Sequence, residues 1–158
     1  MLTTSTANQR LYAAALVYRG ICEVPGKQSN KTIAVWIKEA ASWLGDDVGN
    51  DDSRVAWCGC FRGHIGNKTM TGTPAAYYRA AHWLNWGKAV GQTNTKDWKQ
   101  GDTLIFKRDG GYHVTLFSDF NGCGAGRVNC LGGNQSDKVC IAALDLKNLV
   151  GVRRAPAI

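Results

Sequence analysis

Asp51-Asp52-Ser53-Arg54-Val55-Ala56-Trp57-Cys58-Gly59-Cys60-Phe61 is a polar loop that runs into an apolar, helix-compatible segment with Cys58 in its first turn. A cysteine there meets unpaired backbone N–H groups and the positive end of the helix dipole. Both favour the thiolate, which is the nucleophilic form. A cysteine nucleophile also needs a base, usually histidine, and a group that orients the base. One candidate for each lies downstream, in a half of the chain with strand character. Helices first and a strand meander after them imply an α+β domain with an antiparallel sheet.

Outward from that stretch, the pattern divides the chain. Residues 7–22 read as a helix on the spacing of Leu11, Ala14, Ala15, Tyr18 and Ile21, ended by Pro25-Gly26. Residues 31–44 read as a second helix, capped by Ser29 or Asn30. Its stripe of Ile33, Trp36, Ile37, Ala40, Ala41 and Leu44 is the clearest periodic signal in the chain. The Cys58 helix extends to about Ile65, Gly66-Asn67-Lys68 closes it, and Pro74 opens another helix to about Leu84. Residues 85–102 are polar and irregular and read as a surface connection. Strands follow at 103–107, 113–120, 127–131 and 138–143, with a short edge strand at 150–154. The expectation is one domain over residues 1–158, with a helical half at about 7–84 and a strand half at about 103–154.

Of the three histidines, His64 sits six residues into the Cys58 helix and is rotated well away from Cys58, and His82 falls in an amphipathic helix. His113 opens a strand just after the turn Arg108-Asp109-Gly110-Gly111, at the rim of the sheet. The segment Leu131-Gly132-Gly133-Asn134-Gln135-Ser136-Asp137 reads as a turn between two strands. If strand alternation holds, Asn134 points to the same face as Val128 and Cys130, where its carbonyl can accept a histidine N–H and fix the tautomer.

Composition narrows the partners. The net charge of +7 suits a polyanion such as nucleic acid, an anionic cell wall or a membrane surface, but the basic residues are scattered and no nucleic-acid-binding motif is present. No nucleic-acid partner is expected. No apolar run approaches the roughly 18 residues of a membrane span, so no stable membrane insertion is expected, and the polar first ten residues do not resemble a signal peptide. Synthesis in a cytosol is expected, with any extracellular substrate reached by another route. The six cysteines fit no complete disulfide framework if Cys58 stays free, although Cys123 and Cys130 could pair across a hairpin in an exported protein. Cys58-Gly-Cys60 is C-x-C rather than the C-x-x-C of zinc sites.

Cysteine early on a helix, histidine at a strand start and a polar residue at the end of the next strand is the order of papain-like cysteine peptidases. The segments 52–61 (DSRVAWCGCF), 98–106 (WKQGDTLIF), 113–117 (HVTLF) and 131–137 (LGGNQSD) resemble the NlpC/CHAP superfamily of peptidoglycan hydrolases. The Leu-Gly-Gly-Asn-Gln stretch, with Glu23-Val24-Pro25-Gly26, resembles a small phage and prophage endolysin branch of it. The resemblance implies a papain-like α+β fold, Cys58 as nucleophile, His113 as general base, and Asn134 as the orienting residue with Gln135 its nearest rival. Trp57, Tyr112 and Gln135 are expected to contact substrate, and Trp83, Trp86 and Trp98 are further groove candidates. Two departures stand out: Tyr112 replaces the glycine usual before the histidine, and Cys60 replaces a small unreactive residue.

The resemblance further implies hydrolysis of an amide bond in the peptide stem of peptidoglycan by a monomer. Such an enzyme would be made in the host cytoplasm and act on the wall in the periplasm after release. An interbacterial murein amidase toxin and a catalytically inactive peptidoglycan-binding module are the alternatives. Some CHAP-type relatives bind calcium just before the nucleophile, but the spacing of Asp46, Asp47, Asp51 and Asp52 is not that of an EF-hand loop. Helix capping and solvation account for these aspartates, so no metal and no cofactor are expected.

Overall fold

The structure is a computed structural model that describes residues 5–25, 29–42 and 55–157. It is α+β: among the described residues three α-helices and several short 3₁₀ turns pack on a six-stranded antiparallel sheet. Helix α1 spans Ala7–Leu16, α2 Lys31–Ala40 and α3 Cys58–Lys68. The strands are β1 (Lys88–Ala89), β2 (Thr103–Arg108), β3 (Gly111–Asp119), β4 (Arg127–Gln135), β5 (Lys138–Asp145) and β6 (Leu149–Arg154), in the order β1-β6-β2-β3-β4-β5.

Local chemistry explains the boundaries. Thr6 and Gln9 form a reciprocal capping box at the start of α1. That helix stops at Leu16, earlier than the periodicity implied, and Cys22 instead pairs with Lys138 as an isolated bridge beside β5. The side chain of Asn30 caps α2, accepting the N–H groups of Thr32 and Ile33. Helix α2 ends at Ala40, where Ala41 turns to extended backbone (φ −162°, ψ 117°), short of the end expected near Leu44. Leu44 itself lies outside the described residues, as do Asp46, Asp47, Asp51 and Asp52.

The helix expected from Pro74 does not form. Residues 75–78 are turns, with Ala76 at a φ of 50°, and a 3₁₀ helix follows only at Ala80–Asn85. This segment lies too close to α3 for side chains between them. A Cβ at Gly59 would come 2.5 Å from the Tyr78 carbonyl oxygen. The backbone carbonyl of Tyr77 is taken by the Trp83 indole N–H at 2.9 Å.

Residues 85–102 are better ordered than their polarity implied. They hold β1, a 3₁₀ turn at Thr95–Asp97, and the buried rings of Trp86 and Trp98. Strand β6 is not an edge, since it lies between β1 and β2.

The sheet is covered on both faces. Ile105, Val114, Leu116 and Leu131 point to the helices and pack with Leu11, Trp36, Phe61 and Ile65. Leu104, Phe106, Phe117, Val128 and Cys130 point the other way and form a second cluster closed by Trp98 and Leu149. Burying each such side chain contributes about 1.5–3 kcal/mol.

Arg62 of α3 is buried in the helix layer. Its guanidinium lies over the Trp83 and Trp86 rings at 4.3 and 4.8 Å, and its Nε and Nη2 both donate to Thr103 Oγ1. Burial pushes its pKa down to about 9. Asp102, also buried, receives Asn8 Nδ2 of α1, the Lys99 N–H, and Arg154 Nε and Nη2 of β6. One carboxylate thereby ties α1, the loop before β2, and β6. Gly101 permits this approach, because a Cβ there would sit 2.4 Å from the Asn8 carbonyl oxygen.

Candidate functional site

Cys58 is the first residue of α3, with Trp57 as N-cap and no side-chain cap. Its thiol is 1% exposed, and burial pushes its pKa up. The Val114 N–H, the charge of Arg108, and the N–H groups of Gly59 and Cys58 itself pull the other way but do not overcome burial. The helix start therefore acts on Cys58 in the expected direction, yet the resting group is a thiol. Cys60, likewise buried, is pushed up to about 12 by burial and by the neighbouring Cys58.

His113 is the third residue of β3 rather than its first, and is 1% exposed. Burial is the main cause of its depression to about 4, with the nearby Arg108 charge adding to it and the Gln135 hydrogen bond opposing it. Its Nε2 lies 2.9 Å from Gln135 Oε1, and its Nδ1 is buried without a hydrogen-bond partner.

The Gln135 amide fixes the tautomer of this ring. Gln135 Nε2 donates to the carbonyls of Cys130 and Cys140, at 3.0 and 2.8 Å. The amide therefore turns its oxygen to His113 and Thr115, and Thr115 Oγ1 donates to the same oxygen at 2.9 Å. Neutral His113 consequently carries its hydrogen on Nε2 and keeps a bare lone pair on Nδ1.

Gln135, not Asn134, reaches His113. The pairing runs Gly132↔Cys140 and then Gln135↔Lys138, so β4 holds one extra residue at this point. Asn134 absorbs it at a φ of 55°. The bulge shifts the parity of the strand and brings Gln135 to the face of Val128 and Cys130. The hairpin turn is only Ser136-Asp137, both at positive φ.

Strand parity also separates the two principal groups. His113 pairs with Phe106 and shares its face with Thr115 and Phe117, whereas Val114 and Leu116 face the helix layer that contains Cys58. The structure brings Cys58 to the β3 backbone at Val114, beside His113, without a hydrogen bond between thiol and imidazole.

Trp57 does not contact a groove. It is fully buried against Trp36, and its indole N–H donates to Glu23 Oε1 at 2.8 Å. Trp83, Trp86 and Trp98 are core residues as well. Gln135 is buried and holds His113 rather than facing outward. Tyr112 is 37% exposed, next to His113.

Two residues missed from the sequence complete the site. Thr115 lies two residues beyond His113 on the same strand face, a period-two relation that was available. Arg108, across the hairpin, bears on both Cys58 and His113.

All six cysteines are free, including Cys123 and Cys130. Among the described residues no cluster of three metal-ligating side chains occurs, and no helix is long and apolar enough to cross a membrane. The sequence matches no protein-family model and no curated protein.

Proposed function

We propose that this chain is a cysteine hydrolase that opens an amide bond in the peptide stem of bacterial peptidoglycan, in the manner of a phage endolysin. The observation that carries the reading is the state of His113: a buried neutral imidazole, tautomer fixed by Gln135, with a bare Nδ1, one residue along β3 from Val114, whose backbone N–H reaches Cys58. A pKa of about 4 keeps His113 unprotonated at the working pH, and the proton transfer from Cys58 requires its basicity to rise as substrate binds. The resemblance of the Trp-Cys, Gly-Asp, His-Val and Gly-Asn-Gln segments to the NlpC/CHAP superfamily supplies the fold type and the substrate class.

In this mechanism Nδ1 of His113 takes the proton from Cys58 Sγ, and the thiolate attacks the amide carbonyl. The negative charge moves to the carbonyl oxygen, where the Cys58 N–H is a donor. The C–N bond then breaks, the amine leaves with the proton from Nδ1, and a thioester remains. Nδ1 next takes a proton from water, hydroxide displaces the thiol, and the carboxyl product leaves. The first step requires Sγ and Nδ1 to meet, which the resting arrangement does not provide; catalytic contacts often tighten only with substrate bound.

The burial of Cys58 and the missing thiol–imidazole bond favour a second reading, an inactive peptidoglycan-binding module. One experiment separates the two: mass spectrometry of purified peptidoglycan incubated with wild type, Cys58→Ala and His113→Ala. New fragments from wild type alone support the hydrolase, and their masses identify the bond. No fragments from any of the three, with wall pelleting retained, sinks the enzyme and leaves the module.

A further inference from the structure

A groove of about 560 Å³ opens at the β2–β3 hairpin, and His113 lines it together with Lys107, Arg108, Asp109, Asp145 and Lys147. The charges here are unevenly committed. Asp145 is occupied by Lys147, through the ammonium at 3.5 Å and the backbone N–H at 2.9 Å. Arg108 makes no ion pair and no side-chain hydrogen bond among the described residues, and neither does Lys107. Asp109, in the hairpin turn, is the opposing charge, so the uncommitted set carries a net positive charge.

Arg108 is also well anchored. It is the last residue of β2, paired with Gly111 across a two-residue turn, so its side chain starts from a fixed point beside His113. A planar guanidinium without a partner matches a carboxylate in two-point geometry. His113 forms part of the same wall, with its Nδ1 buried. A ligand that satisfies Arg108 presents a carboxylate, and the net positive charge of the uncommitted groove residues favours such an anion. Phe106 and Val150 add an apolar side to the same groove.

We infer that this groove takes a peptide bearing a free carboxylate, and that Arg108 is the residue that selects it. The inference rests on the hydrolase reading for the identity of the peptide as a cell-wall stem, but the groove chemistry is tested without turnover. The probes are a matched pair of fluorescent stem peptides, one with the free carboxylate and one with a carboxamide in its place. Their affinities are measured by anisotropy with Cys58→Ala protein, alone and combined with Arg108→Gln or Lys107→Gln.

The carboxylate peptide should bind about tenfold more tightly than the carboxamide, the order expected for a charge-assisted pair partly open to water. Arg108→Gln should bring that ratio close to one, and Lys107→Gln should leave most of it. A ratio near one in the parent, a ratio untouched by Arg108→Gln, an equal loss in Lys107→Gln, or no binding of either probe overturns the inference. Wild-type digestion of peptidoglycan reports on the hydrolase separately. Fragments without carboxylate selection defeat the groove assignment alone, and selection without fragments defeats the hydrolase alone.

Discussion

Lowering the pH should destabilise this protein through His113 before most carboxylates titrate. In the unfolded chain the imidazole has its ordinary pKa of 6.5, and in the fold it is depressed to about 4. Above 6.5 both states are neutral and His113 adds no pH dependence. Between 6.5 and 4 the unfolded chain binds a proton that the folded chain refuses, so stability is lost as pH falls through this window.

From about pH 8 to about pH 4.5 the loss works out at about 2.5 kcal/mol, a large share of a typical domain's stability. The assay is urea denaturation of wild type and His113→Gln at a series of pH values, read as the difference between the two proteins. That difference cancels the other titrating groups. It should shift by about 2.5 kcal/mol in favour of the variant as pH falls, with unchanged urea dependence. A difference flat to within about 0.5 kcal/mol would refute a buried neutral imidazole, and with it the basis for His113 as a ready base.

Replacing Gln135 by Leu strands the carbonyls of Cys130 and Cys140 and should cost about 2 kcal/mol in urea melts, with peptidoglycan turnover down by about 10²-fold. Asn134→Ala should leave turnover within a few-fold, and the reverse ranking would return the orienting role to Asn134. At neutral pH, iodoacetamide should label exposed Cys22 well before buried Cys58 in the resting protein, as followed by peptide mass mapping; earlier labelling of Cys58 would contradict its burial as a thiol. Gly133→Ala should destabilise by about 1–3 kcal/mol, because its Cβ would stand 2.7 Å from Trp57 Cζ3; an unchanged melting temperature would refute that packing. Arg62→Met should melt closer to wild type than Arg62→Ala does, since Met refills the space between Trp83 and Trp86 without a buried charge.

Much of the fold was legible because its signals are local. The stripe of α2, the start of α3 at Cys58 and the alternation of β2 and β3 each reside within a dozen residues. The Asn134–Gln135 distinction was not legible, because a single extra residue in β4 reverses which side chain faces His113, and only the pairing with β5 reveals the bulge. The helix expected after Pro74 failed for a tertiary reason: the glycine face of α3 accepts a bare backbone turn at close range. Trp57 looked like a groove aromatic from its place beside Cys58, yet the Trp36–Phe61 layer and Glu23 claim it for the interior. Burial of Cys58 was equally hidden. A helix start in solvent and one pressed onto a strand have the same sequence, but opposite net effects on a thiol.

The position of β6 bears on how the molecule is made. Leu149–Arg154 fills the slot between β1 and β2, so during synthesis β1 has no strand partner and β2 has only β3 until β6 emerges. Until then β2 offers an open edge of hydrogen-bonding groups to any passing chain. The pairing of Ala89 with Arg153 closes a very long loop, which slows folding relative to a protein of local contacts. A ribosome-bound nascent chain arrested before Leu149 should therefore be protease-sensitive and prone to self-association. Extension of the chain through Arg154 should abolish both properties together.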